Sequence, residues 1–206
     1  SGPATISGNT VTLTGVGTVT LAANQAGNDN YNSASEVTTS FSVSKATQTI
    51  GTFANIGNKT FGDVPFAVTA PAASSGLAVS LSVKSGPATI SGNTVTLTGA
   101  GTVEIAANQA GDAIYNAASE VTTSFMVSKG TPSITTKPVA SAITFGQKLS
   151  LANLTGGVGS VPGTFAFKNP NLVPELGTTT QRVIFTPSNA NINTVSFAIE
   201  VDAIEQ

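Results

Sequence analysis

The sequence has no cysteine, no histidine and no tryptophan, and only 9% of its 206 residues are charged. Without cysteine there is neither a disulfide framework nor a thiolate metal site. Without histidine there is no imidazole general base and no Ser-His-Asp triad. The 8 Lys and Arg are spread along the chain and cannot form the basic face that nucleic-acid binding requires. The 10 Asp and Glu, which bring the net charge to −2, are equally dispersed and form no acid/base pair that would suit a hydrolase. No apolar run approaches the roughly 18 residues of a membrane-spanning helix, and no charged-then-apolar leader opens the chain. What remains is 40% hydrophobic residues, enough for packed cores, set among Ser, Thr and Asn that make up about a third of the chain.

Internal repetition organises the sequence. Ser1–Lys45 and Ser85–Lys129 differ only at Val16/Ala100, Thr20/Glu104, Leu21/Ile105, Asn28/Asp112, Asp29/Ala113, Asn30/Ile114, Ser33/Ala117 and Ser42/Met126. The same offset persists faintly into the next stretch, where Thr60-Phe61-Gly62 becomes Thr144-Phe145-Gly146. Further on, Gly101-Thr102 aligns with Gly177-Thr178, and Phe125 and Val127 are matched to Phe197 and Ile199. The expected division is residues 1–45 as the back half of a unit, 46–129 as a complete unit, and 130–206 as a diverged, shorter unit with fewer strands. No Gly/Ser-rich linker separates them, and Lys45-Ala46 and Lys129-Gly130 join one unit directly to the next. A stiff end-to-end array is expected rather than beads on a flexible string.

The apolar residues repeat every second position. Val79, Leu81 and Val83 alternate with serines, and Val95 and Leu97 with threonines. Val103 and Ile105 alternate with Thr102 and Glu104, and Val121, Phe125 and Val127 with polar residues. Such Thr- and Val-rich runs suit pleated, half-buried strands. Turn signals separate them at Ser91-Gly92-Asn93, Gly99-Ala100-Gly101 and Ala110-Gly111-Asp112. Differences between the copies obey this alternation: Thr20/Glu104 and Ser42/Met126 fall on outward positions, and Leu21/Ile105 on an inward one. About seven short strands in a unit of this length predict an all-β chain of tandem immunoglobulin-like β-sandwiches arranged end to end. Phe125, Val103, Leu97 and Leu81 are the expected core.

The segments SGPATISGNTVTLTGAGTV, AANQAGDAIYNAASEVTTSFMVSK and ATQTIGTFANIGNKTFGDVPF resemble tandem bacterial immunoglobulin-like repeats. The stretch TPSITTKPVASAITFGQKLSLANLTGGVGSVPGTFAF, followed by FTPSNANINTV, resembles a sister repeat of the MBG type. The resemblance covers the whole chain and implies a bacterial extracellular or cell-surface location. It also implies a non-enzymatic spacer, stalk or fibre-forming role, and no cofactor. The third unit departs from the pattern by placing Ile192 where Tyr115 stands in the second. The rival reading is an adhesin module that binds a glycan or a protein.

Few residues are candidates for chemistry. Asp29 and Asp112 lie in oxygen-rich turns and are weak calcium candidates, since calcium asks for six to eight oxygens and usually several carboxylates. Tyr31 and Tyr115 follow those turns and are expected to pack over the end of a sandwich with the hydroxyl bonded to backbone, or else to face a ligand. Ser42-Val43-Ser44-Lys45 has Ser-x-x-Lys spacing, but on a strand residues three apart point to opposite faces. A Lys–Asn crosslink would need a buried Lys; Lys148, with Asn193 and Glu200, is the only candidate set. The glycine-rich 156–159 stretch reads as a loop. Residues 1–45 lack everything equivalent to 46–84, so Val11, Leu13, Val19, Leu21, Phe41 and Val43 are expected to be uncovered. The partners expected for them are neighbouring repeats, either upstream residues of a longer chain or another copy joined head to tail by strand addition.

Overall fold

The alternating runs form strands, and the turn residues between them set the register. The computed structural model describes residues 1–205. The chain is all-β: the only helical turn among the described residues is a 3-10 turn at Leu149–Leu151, and no helix is long and apolar enough to cross a membrane.

The first stretch folds as two hairpins, β1 (Ala4–Ser7) with β2 (Thr10–Leu13) and β3 (Gly17–Ala23) with β4 (Val37–Val43). The second carries β5 (Lys59–Thr60), β6 (Phe66–Ala67), β7 (Ser80–Ser85), β8 (Ala88–Ser91), β9 (Thr94–Leu97), β10 (Gly101–Asn108) and β11 (Val121–Ser128). These make one sheet in the order β5-β11-β10-β7 and a second in the order β6-β9-β8. Four strands facing three is an immunoglobulin-like sandwich. The β8–β9 hairpin turns on Gly92, whose φ of +55° at the first central position, with no positive φ at Asn93, fits a type II′ turn.

The core lies between the two sheets. Val103, Ile105, Phe125 and Val127 of the four-stranded sheet meet Val95 of the other, with Ile50, Phe53 and Val68 closing it. Phe66 reaches Phe125 edge-on at 5.8 Å across the gap. Leu97 and Leu81, expected in the core, are only half-buried and pack against its border.

The third stretch carries β12 (Ile134–Thr136), β13 (Val139–Ala140), β14 (Ile143–Thr144), β15 (Leu154–Thr155), β16 (Val158–Gly159), β17 (Gly163–Phe167), β18 (Gly177–Pro187) and β19 (Val195–Ile204). Its main sheet runs β14-β19-β18-β17, with β12–β16 and β13–β15 as separate pairs. It has one strand more than the second stretch in all, through the short pairs β12–β16 and β13–β15, but lacks a counterpart of the β8–β9 hairpin: β17 runs to β18 with no strand between them. The glycine-rich 156–159 segment is not all loop as expected: its second half is β16 itself, paired with β12, and a Cβ on Gly159 would stand 2.6 Å from the Phe185 ring. Its second core gathers Ile143, Leu149, Phe167, Val183, Ile199 and Val201.

Strand pairing also corrects the alignment of the last strands. Lys59 and Thr60 pair with Val127 and Ser128, and Ile143 and Thr144 pair with Ala203 and Ile204. Val127 thus corresponds to Ala203 and Phe125 to Val201, not to Ile199 and Phe197. Side-chain similarity had drawn the match four residues out of register. Because four is even, the facing of every residue was preserved and the slip was invisible in the pattern.

Candidate functional site

The near-identity of Ser1–Lys45 and Ser85–Lys129 makes the structure its own control. β1–β2 corresponds to β8–β9, and β3–β4 to β10–β11. The second pair of hairpins is covered by residues 46–84 and the first pair is not. Phe125 is 3% exposed and its counterpart Phe41 is 40% exposed. Ile105, Ala106 and Ala107 are buried, whereas Leu21 is half-buried and Ala22 and Ala23 are exposed. Val95 is buried and Val11 is half-buried. Val19 is the exception among the residues expected to be uncovered. It is 1% exposed, as buried as its counterpart Val103.

Between the two hairpins this face opens into a cleft of about 160 Å³, lined by Ile6, Val11, Val19 and Leu21 among others. Its edges are open as well. β10 is flanked by β7, β11 by β5 and β9 by β6, while β3 and β4 pair only with each other, as do β1 and β2. Ser1 fills one rung of the β3 edge: its ammonium donates to the Thr20 carbonyl at 2.7 Å, and Thr20 N–H donates back to Ser1 at 2.8 Å.

A polar key accompanies the apolar face. In the covered copy, buried Gln109 accepts through Oε1 from the Gly111 amide and from Gln48 Nε2 of the covering segment. Gln48 also donates to the Asn116 carbonyl at 2.7 Å and accepts from the Ser75 hydroxyl. In the open copy Gln25 holds the same turn, accepting from the Gly27 amide at 2.9 Å, but is exposed. This glutamine pair was missed in the sequence; the signal was Gln25/Gln109 standing unchanged between strictly alternating runs.

The two carboxylate turns are built alike. Asp112 Oδ1 accepts from the amides of Tyr115 at 2.7 Å and Ile114 at 2.8 Å. Those N–H groups, Tyr115 first, hold its carboxyl below the usual aspartate range, and Lys45 adds a smaller attraction. In the first copy Asn28, not Asp29, does this work, accepting from Asn30 and Tyr31 at 3.0 Å each. Asp29 is exposed. No group of three or more His, Cys, Asp or Glu side chains occurs among the described residues. Tyr31 is 75% exposed and does not pack over a sandwich end, whereas Tyr115 is half-buried. Neither hydroxyl makes a hydrogen bond among the described residues. It is the backbone of Tyr115 that matters: it pairs in parallel with Ala46, as Ile192 pairs with Gly130. A tyrosine side chain is not required there, which accounts for Ile192.

The same turns clamp both junctions. Asn116 Nδ2 donates to the Lys45 carbonyl at 3.3 Å, and Asn193 Nδ2 to the Lys129 carbonyl at 3.5 Å. Lys45 Nζ donates to the Asp112 carbonyl at 2.6 Å, and Asn191 Oδ1 accepts from the Ala100 amide at 2.9 Å. Lys148 is exposed, so the buried lysine that a Lys–Asn crosslink needs is not present at that position. A surface cavity of about 560 Å³ beside Lys137, Thr180 and Glu200 holds one ammonium already bonded to the Ala198 carbonyl at 3.1 Å.

No protein-family model matches the chain, and no curated protein matches it. Solved structures that align with it include Drosophila N-cadherin EC1-4, at 10% identity and a TM-score of 0.38, over 93% of this chain. The chain spans 57% of that one. Mouse protocadherin-24 EC1-3 aligns at 15% identity and a TM-score of 0.29, over 98% of this chain and 86% of that one. Mouse cadherin-23 EC22-24 aligns at 11% identity and a TM-score of 0.31, over 92% and 74%. At such scores the likeness carries nothing on function, and the fold rests on the sheets described above.

Proposed function

We propose that this chain is a non-catalytic structural repeat array, a stiff extracellular spacer or stalk segment of a bacterial surface protein. The units are residues 1–45, 46–129 and 130–206. The observation that carries the reading is the repeated junction: a backbone bridge at the first residue of a unit, with an asparagine amide holding the carbonyl just before it, at both Lys45-Ala46 and Lys129-Gly130. A junction with no spare residues and several hydrogen bonds has few hinge states, because bending must break bonds that water replaces only in part. The bacterial surface assignment rests on the sequence resemblance. Low charge and the absence of redox-sensitive cysteine suit a passive extracellular element. Asp29, Asp112, Tyr31 and Tyr115 are assigned turn roles rather than ligand roles.

Small-angle scattering of the whole chain is the test. A rod-like distance distribution that Asn116→Ala plus Asn193→Ala broadens supports the proposal. A distribution already broad in the unaltered chain overturns it.

A further inference from the structure

We infer that the outer face of the β17-β18-β19 sheet is a binding site for an acidic polysaccharide, whose oxyanions are held by a row of three cations, Lys168, Arg182 and Lys137. The site goes beyond the spacer reading and does not rest on it.

Strand register builds the row. Phe167 pairs with Val183, and the Lys168 amide donates to the Arg182 carbonyl at 2.8 Å, so Lys168 stands opposite Arg182. Arg182 pairs in turn with Ala198 of β19. Lys137 closes the row from the far side, donating through Nζ to the Ala198 carbonyl at 3.1 Å. Phe167, Val183 and Ile199 are buried on the inner face, which turns Lys168, Arg182 and Ala198 outward, and all three cations are exposed. Neighbouring strands lie about 4.8 Å apart, so the three positive charges fall within about 15 Å of one another. They are three of only 8 Lys and Arg, and Arg182 is the one arginine of the chain.

No carboxylate neutralises the row. Among the described residues the only ion pairs are those of Lys84 with Glu104 and Glu120. On the same face Asp202 accepts from the Thr178 hydroxyl at 2.6 Å, and Glu200 makes no ion pair. Like charges directly opposite each other destabilise a sheet. The fold does not require them at these positions. Ala106 pairs with Thr122 as Arg182 pairs with Ala198, and Ser82 pairs with Ala106 where Lys168 stands, so the same row in the second stretch is uncharged. A like-charged row left unpaired, in a chain with more carboxylates than cations, fits an oxyanion supplied from outside. The planar guanidinium of Arg182 suits a carboxylate or sulfate in bidentate geometry.

The surroundings narrow the ligand. A cleft of about 560 Å³ opens at the Lys137 end of the row, with Thr180 and Glu200 in its wall. The Glu200 carboxylate repels a dense polyanion but accepts hydrogen bonds from hydroxyl groups. The ligand must therefore bring hydroxyl donors between spaced negative charges. Uronate chains and sulfated chains share that chemistry; nucleic acids and free inorganic anions do not.

The test titrates the full chain at low ionic strength with polygalacturonate, with chondroitin sulfate and with uncharged dextran, followed by amide NMR and calorimetry. Shifts centred on Lys168, Arg182, Ala198 and Thr180 are expected with the acidic chains and none with dextran. The tighter of the two acidic chains identifies carboxylate or sulfate as the preferred oxyanion. Lys168→Gln with Arg182→Gln should weaken binding by ~10-fold or more, and Lys59→Gln in the second stretch should leave it unchanged. The paired variant should melt no lower than the unaltered chain, because it removes a like-charge contact. Absence of binding to both acidic chains overturns the inference. So does equal binding of dextran, or binding that survives the paired variant. So does a marked fall in melting temperature of that variant, which would give the row a structural role. Inorganic phosphate binding as tightly as the polysaccharides would overturn the ligand class.

Discussion

Truncating Phe125 and Phe41 separately to alanine measures what the covering segment is worth, because the two residues sit at the same place in near-identical repeats. Phe125 is 3% exposed, opposes fully buried Val103 across β10–β11, and meets Phe66 edge-on at 5.8 Å. Its loss leaves a closed cavity between two sheets that cannot collapse far, so the expected cost is about 3–5 kcal/mol. Phe41 opposes Val19 in the same register but is 40% exposed. Truncation there removes only the transfer energy of the covered part of the ring, with no cavity formed. Full burial of a phenyl side chain is worth about 1.5–3 kcal/mol, so roughly 1–2 kcal/mol is expected. Each 1.4 kcal/mol is about tenfold in an opening equilibrium. Native-state hydrogen exchange should therefore accelerate by roughly 10²–10⁴-fold at the Val103 and Ile105 amides in Phe125→Ala, and by roughly 5–30-fold at Val19 and Leu21 in Phe41→Ala. Exchange reads each hairpin separately, which avoids forcing a chain with two cores into one unfolding transition. Equal acceleration in the two copies would refute the reasoning, since it would mean that residues 46–84 do not decide the burial of this strand.

The turn chemistry makes a second prediction. Asp112→Asn should leave exchange at Ile114 and Tyr115 unchanged, because Asn28 performs the same capping in the first copy, whereas Asp112→Ala should expose both amides and loosen the Ala46 bridge, as read by their exchange rates. A third concerns pH. Lys84 bonds Glu120 at 2.9 Å and lies 3.6 Å from Glu104, and Asn108 donates to Glu120 at 3.1 Å. The hydrogen bond from Lys84, then that from Asn108, holds the Glu120 carboxyl below the ordinary glutamate range, and Glu120 raises the lysine in return. The lowered carboxylate adds stability above its unfolded value and loses it as pH falls through the lower folded one. The raised lysine adds stability below its unfolded value and loses it as pH rises through the higher folded one. Side-chain NMR titration should show Glu120→Gln moving Lys84 back toward its ordinary value; an unmoved Lys84 would dissociate the pair.

Much of this molecule was settled by the order of its residues. Period-two alternation with Thr and Val on the strands and Gly-Asn turns between them leaves an all-β chain as the one way to bury Val95, Val103, Ile105 and Phe125 together. The repeat at constant spacing placed the same hairpins in both copies. Local patterns could not decide burial. Phe41 and Phe125 share their neighbours in sequence apart from Ser42/Met126, with Thr-Thr-Ser before and Val-Ser-Lys two residues on, yet one is open and one is closed. The difference comes from Phe53, Phe66 and the other residues of a segment that is distant along the chain and absent from the local pattern. The last strands make the same point through register: residues four apart look alike in a period-two pattern, and only the pairing of Ile143 with Ala203 set Val201, rather than Phe197, in the place of Phe125. Sequence fixed which face of each strand is apolar, because alternation is a property of neighbours; tertiary structure decided which apolar faces are covered, because covering is a property of segments that meet only on folding.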